Sequence, residues 1–207
     1  MAPRASKATS SATRWAGVPL TDRRAERRAL LVAAAFRLFG AGGEAAVSVR
    51  SVCRESGLNT RYFYESFADV DELLGAAYDE VNAGLAAAVD DAMAAADTSF
   101  RARTRAGMAA VLHYSSADPR RGRLLFTDAR TNPVLAARRA ASQDRLREAV
   151  LTEGGRVRPG ADAVLTRVGA AMYTGAMAEL AQQWLAGALG DDLDAVVDHA
   201  LALVLQR

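Results

Sequence analysis

The sequence offers little for redox or metal chemistry. Cys53 is its single cysteine, so no intrachain disulfide can form, and neither CxxC nor Cys/His zinc spacing occurs. A reducing compartment suits such a chain. The two histidines, His113 and His199, have no histidine or carboxylate partner in a metal-like array, so no metal and no cofactor is expected. No apolar run approaches the roughly 18 residues a membrane span needs, and the first residues lack the apolar centre of a signal peptide. A cytoplasmic protein with no membrane partner is the expectation. Catalytic signatures are missing too: there is no GxSxG, no phosphate-binding glycine loop, no dinucleotide fingerprint and no HExxH. The adjacent acids Asp90-Asp91 and Asp191-Asp192 read as helix ends or solvated face.

What is present is apolar residues in helical order and charge in uneven order. Hydrophobic residues make up 51% of the 207, enough for one or two small cores. Residues 1–67 carry 11 Lys and Arg against 5 Asp and Glu, a net +6. Residues 68–207 carry 15 against 19, a net −4. A basic front on an acidic body fits a chain whose N-terminal part meets a polyanion.

Residues 1–20 mix Ser, Thr, Ala, Pro and basic residues without periodicity and predict a disordered basic arm. Leu30, Leu31, Ala34, Ala35, Leu38 and Phe39 then fall on one helical face, beginning after Thr21 or Asp22 and ending at Gly40, Gly42 and Gly43. Ser48 is placed to cap a short second helix to about Glu55. Gly57 follows as a turn residue, a third helix carries Asn59 to Phe67, and Asp69 can cap a fourth. Further helices are predicted near 98–116, 118–129, 132–153, 161–188 and 191–206, with Pro119, Pro133 and Pro159 at starts and joints. No strand pattern and no internal repeat occurs. The fold class is all-α.

Ser48 to Leu74 carries the functional signal. Two short helices joined by a glycine-containing turn are a helix-turn-helix signature. Val49, Val52, Cys53, Leu58, Phe63 and Phe67 would lock the helices together. That leaves Asn59, Thr60, Arg61, Tyr62 and Tyr64 with the donors, guanidinium and phenols a major-groove helix needs. The segment LLVAAAFRLFGAGGEAAVSVRSVCRESGL through NTRYFYESFADVDELL, roughly residues 30–74, resembles the TetR family. Leu38-Phe39, Gly43, the Ser-Val-Arg start, Gly57-Leu58, Phe63-Tyr64 and Phe67 occur in that family's order and spacing. The resemblance implies phosphate contacts from Ser48 and Tyr64, base contacts from Arg50, Thr60, Arg61 and Tyr62, and core roles for Phe63 and Phe67. It also implies double-stranded DNA with a pseudo-palindromic operator as partner, a homodimer, and repression relieved by a small apolar effector. One position departs: the family usually has a phosphate-binding lysine where this chain has Val70. Arg4, Lys7 and Arg14, with Arg23, Arg24, Arg27 and Arg28, are candidates to compensate.

The expected division is an arm over 1–20, a helix-turn-helix domain over 21–67, and a helical effector-binding and dimerisation body over 68–207. Met108, Tyr114, Phe126, Met172, Tyr173 and Met177 are the candidate effector-pocket residues. Trp184 shares their pattern, and His113, Arg130 and Gln183 are polar candidates beside them. The small residues Gly169, Ala170, Ala171, Gly175, Ala176 and Ala178, with the apolar Val196, Val197, Leu201, Leu203, Val204 and Leu205, make the last two helices the expected dimer seam. The rival reading is a helical ligand-binding or enzymatic protein whose helix-turn-helix is only structural. Arg50, Arg61 and the +6 front weigh against it.

Overall fold

A computed structural model describes residues 20–127, 132–157, 160 and 162–205, with side chains from residue 23 onward. The basic arm, Arg130 and Pro159 lie outside the described residues. The elements are α1 (Leu20–Gly42), a 3-10 turn (Glu44–Ala46), α2 (Val49–Ser56), α3 (Thr60–Tyr64), α4 (Val70–Ala95) and α5 (Phe100–Ala117). They continue with α6 (Pro119–Gly122), a π-helical turn (Arg123–Thr127), α7 (Pro133–Val157), α8 (Ala163–Leu185) and α9 (Leu193–Leu205). The described residues contain no strand, so the all-α expectation holds.

Helix starts follow their caps. Ser48 Oγ accepts from Ser51 N at 3.1 Å, and Ser51 Oγ accepts from Ser48 N at 2.9 Å, a reciprocal pair that stops α2 from fraying. Asp69 accepts from Glu72 N at 2.8 Å while the Glu72 carboxylate accepts from Ala68 N at 2.7 Å. Ser99 and Asp162 cap α5 and α8 in the same manner. Gly57 closes α2 at φ +70°, a left-handed conformation that any Cβ would strain, and its N–H donates to Cys53 O.

Two differences from the predicted spans have physical reasons. α3 ends at Tyr64, short of Phe67, and Ser66 N donates to Phe63 O at 2.9 Å, an i→i−3 bond that tightens the chain into a turn. Phe67 still reaches the core from that turn. The single helix expected over 118–129 is a four-residue α6 followed by a π-helical turn. The wider turn brings the consecutive Leu124 and Leu125 both into the interior.

Two cores organise the chain. The first starts with Leu31, Ala35 and Phe39 of α1 and takes in Val52, Cys53, Phe63 and Phe67. It continues without a break through Leu73, Leu74 and Tyr78 of α4 to Leu124, Leu125 and Leu135. The second joins Met108 and Leu112 of α5, Met177 and Ala181 of α8, and Val197 and Leu201 of α9. Phe126 packs against both.

Polar contacts tie front to body along the same line. Arg123 donates to Gly40 O at 2.6 Å. Arg120 lies over the Phe36 ring at 5.2 Å, so close to α1 that a Cβ on Gly40 would stand 2.2 Å from its side chain. Asn132 is buried with its amide N–H groups donating to Glu44 and Asp71, both at 3.0 Å. Its oxygen accepts from Val134 N and Leu135 N and so caps α7. All the hydrogen-bonding capacity of this amide is used, as burial requires.

Candidate nucleic-acid interface

α2 and α3 stand at a fixed angle because Val52, Cys53 and Phe63 are buried against α1. Leu58 N donates to Cys53 O at 3.1 Å across the turn. Asn59 then caps α3, its side-chain oxygen accepting from Tyr62 N at 3.2 Å. A helix of five residues is far too short to persist in water by itself; α3 is rigid only because its neighbours hold it.

The arrangement leaves a polar outer surface. Ser48, Arg50, Asn59, Thr60, Arg61 and Tyr64 are exposed. The Arg61 side chain is 83% accessible and Tyr64 is 62%. Tyr62 differs: it is half-buried, with the Arg27 guanidinium 4.5 Å above its ring. Ser48 and Asn59 spend side-chain oxygens on caps, so they act on a ligand through what remains, the hydroxyl or amide edge and the first free N–H groups of α2.

Glu65 went unnoticed in the sequence, although its i,i+4 spacing from Arg61 was a readable signal. Arg61 Nε donates to Glu65 Oε1 at 2.9 Å, Arg27 approaches Glu65 Oε2 at 3.9 Å, and Arg24 donates to the Glu65 carbonyl at 2.6 Å. Arg28 covers the Phe67 ring at 4.8 Å. Val70 packs half-buried against the first core, so its position at the start of α4 serves packing. Burial pushes the Cys53 thiol up from its ordinary range, which suits a packing role.

The candidate effector residues separate. Met108 and Met177 are buried in the second core, Phe126 sits between the cores, and Tyr173 is half-buried beside the second. Burial pushes the Tyr173 phenol up to about 12. Tyr114 donates its hydroxyl to Val81 O at 3.1 Å, with Arg121 over its ring at 4.3 Å. Desolvation is the main cause of its raised pKa. Met172 points outward, 70% exposed. Tyr114 lines a cleft of about 210 Å³ between α1, α4 and α5, with Phe36, Glu80 and Arg121. A second, polar cleft of about 320 Å³ is lined by Arg28, Glu72, Asp79 and Arg138. The Asp79 and Arg138 side chains pair there. Of the six, Tyr114 alone lines either of these two clefts. His113 is exposed, and Gln183 donates to Glu179 at 2.7 Å.

The seam residues divide as well. Val197 and Leu201 are buried within the chain against α5 and α8, and Ala170 is buried too. They are unavailable to a partner. Gly169, Ala171, Gly175, Ala176, Leu203 and Val204 are exposed. No cluster of metal-binding residues occurs among the described residues, and no helix there is long and apolar enough to cross a membrane.

A front of short capped helices with a basic, phenol-bearing surface has the form of a helix-turn-helix head. Residues 31–77 match the model of the tetR family of bacterial regulatory proteins. No curated relative matches the chain. Among solved structures it is similar to the fatty acid degradation regulator FadR from Bacillus halodurans, at 18% identity and TM-score 0.69, covering 86% of this chain and 94% of that one. The transcriptional regulator FadR from Bacillus subtilis, solved in complex with stearoyl-CoA, is similar at 16% and 0.70, covering 86% and 97%. A TetR-like transcriptional regulator from Rhodococcus is similar at 16% and 0.65, covering 87% and 94%. Head and body together have the fold of a TetR-family transcriptional regulator.

Proposed function

We propose that the protein is a sequence-specific repressor that binds a pseudo-palindromic double-stranded operator as a homodimer in the cytoplasm and is released by a small apolar effector. The observation that carries the DNA reading is the surface of α2 and α3. Arg50, Thr60, Arg61 and Tyr64 are exposed on helices whose other face is fully buried. In this reading Arg50, Thr60, Arg61 and Tyr62 face base edges, while Ser48, Tyr64 and the N-terminus of α2 face phosphates. Asn59 holds the start of the reading helix and adds its amide edge. The arm over 1–20 adds sequence-independent attraction.

The homodimer rests on α8. Val164, Leu165, Val168 and Met172 recur at spacings of one, three and four, and all are exposed in the single chain. Leu203 and Val204 of α9 are exposed as well. A two-fold copy covering this surface makes an isologous interface and sets two heads in successive major grooves, about 34–36 Å apart. The effector reading rests on Phe126, which couples the two cores, and on the half-buried Tyr173 phenol beside Met177. A ligand that wedges apart the second core acts only if it binds the non-operator state more tightly, since equal affinity shifts no population.

Selection of bound duplexes from a random pool, followed by gel shift, tests the reading. The expected result is a two-fold symmetric site. Failure to enrich any sequence at low salt would return the molecule to the rival class, a helical protein with a merely structural helix-turn-helix.

A further inference from the structure

Just past the end of α3 stands an acid, Glu65, and three arginines converge on it. Arg61 donates to the Glu65 carboxylate from one turn earlier on α3 at 2.9 Å. Arg27 lies between the other carboxylate oxygen, at 3.9 Å, and the Tyr62 ring, at 4.5 Å. Arg24 donates to the Glu65 backbone carbonyl at 2.6 Å and closes the end of α3. A carboxylate at a DNA-facing surface costs affinity, because it repels phosphates.

We propose that Glu65 is a positioning and specificity-determining residue of the DNA-reading head. The proposal rests on the DNA-binding reading above. Its first action is geometric. Arg61 is 83% accessible, and so exposed an arginine would otherwise lose side-chain entropy on docking. The bond to Glu65 orders the guanidinium along α3 before DNA arrives, and ordering in advance reduces the cost of binding. Through Arg27 the same carboxylate braces the ring of Tyr62. Its second action is electrostatic. Non-specific binding is almost entirely attraction between basic side chains and phosphates, and Glu65 cancels part of that attraction on Arg61 and Arg27. An operator that offers the ordered Arg61 and Tyr62 the right base edges adds contacts that offset the repulsion from Glu65, whereas an arbitrary sequence does not. The acid therefore gives up affinity for DNA in general and retains discrimination.

Two conservative substitutions separate the actions. Glu65→Gln removes the charge and keeps an oxygen within reach of Arg61. The expected result is tighter binding to random DNA. Its dependence of log K on log salt should steepen by about 0.9 for each arginine released to a phosphate, while the order of preference among single-base operator variants stays that of the wild type. Glu65→Asp keeps the charge and falls one methylene short of Arg61. There the ratio of operator to random affinity should drop about tenfold, the size of one lost base contact. Glu65 is partly exposed, and both variants should keep the wild-type thermal transition by circular dichroism. A wild-type ratio in Glu65→Asp overturns the positioning role. An unchanged salt slope in Glu65→Gln overturns the electrostatic one. Wild-type protein that selects no sequence at all would instead overturn the DNA-binding reading on which both depend.

Discussion

The helix-turn-helix front and α8 are both built from short-range helical signals, yet they end differently as single chains. In the front, apolar side chains such as Phe63 and Val52 are fully enclosed, and caps at Ser48, Asn59 and Asp69 answer the helix starts. In α8, the outer face shows Val168 and Met172 to solvent while the inner face packs Met177 and Ala181. The front finishes its own burial within one polypeptide. The outer face of α8 does not, and the surplus is what an oligomer would consume. On the proposed reading, recognition belongs to the front and head spacing to α8, and mutations can address each alone.

The largest effect expected is on the unfinished side. Met172→Arg changes an exposed side chain, so the fold should shift by no more than about 0.5 kcal/mol. The charge enters the proposed seam, however, and sedimentation should show monomer. Operator affinity should fall about 10²- to 10⁴-fold, the advantage of two linked heads over one. Unchanged sedimentation and affinity would remove α8 from the seam.

Next comes the finished side. Phe63→Ala opens a cavity in the first core and should cost about 3–5 kcal/mol in denaturant unfolding. Because this core runs from Phe63 through Leu74 to Leu135, the loss should appear as one shifted transition seen by all probes. Two separate transitions would mean that front and body fold independently and would sharpen the contrast.

Asn132→Ala should follow, at about 1–3 kcal/mol, because Glu44 and Asp71 lose a shared donor and α7 loses its cap. Chemical denaturation checks it. Gly57→Ala should be mildest, roughly 1 kcal/mol for placing a Cβ at φ +70°, with open space around it. A loss several times larger would mean that the turn has packing partners beyond its backbone angle.

The features legible in the sequence were those fixed by neighbours a few residues away. Ser48, Gly57, Asn59 and Asp69 act within one turn of where they stand, so their types announce their roles. Periodicity likewise marked Leu31, Ala35 and Phe39 as one face. It could not say what an apolar face meets. Val197 and Leu201 carried the same signal as Leu203 and Val204, yet the first pair packs against α5 in the same chain and the second faces outward. Met172 and Met177, five residues apart, likewise lie on opposite sides of α8. The end of α3 was overrun because Phe63 and Phe67 keep helical spacing, while the backbone turns between them. Asn132 caps α7 locally, but its hold on Glu44 and Asp71 had no local sign, since those partners lie 88 and 61 residues away.

That asparagine has a further consequence. Glu44 belongs to the turn before the reading unit, Asp71 opens α4, and both carboxylates lean on one amide carried at the start of α7. Both acids accept from the same side-chain nitrogen. Withdrawing α7 would therefore take a donor from two acids at once, one in the turn ahead of α2 and one at the start of α4, so the point where the chain enters α7 is registered at both places.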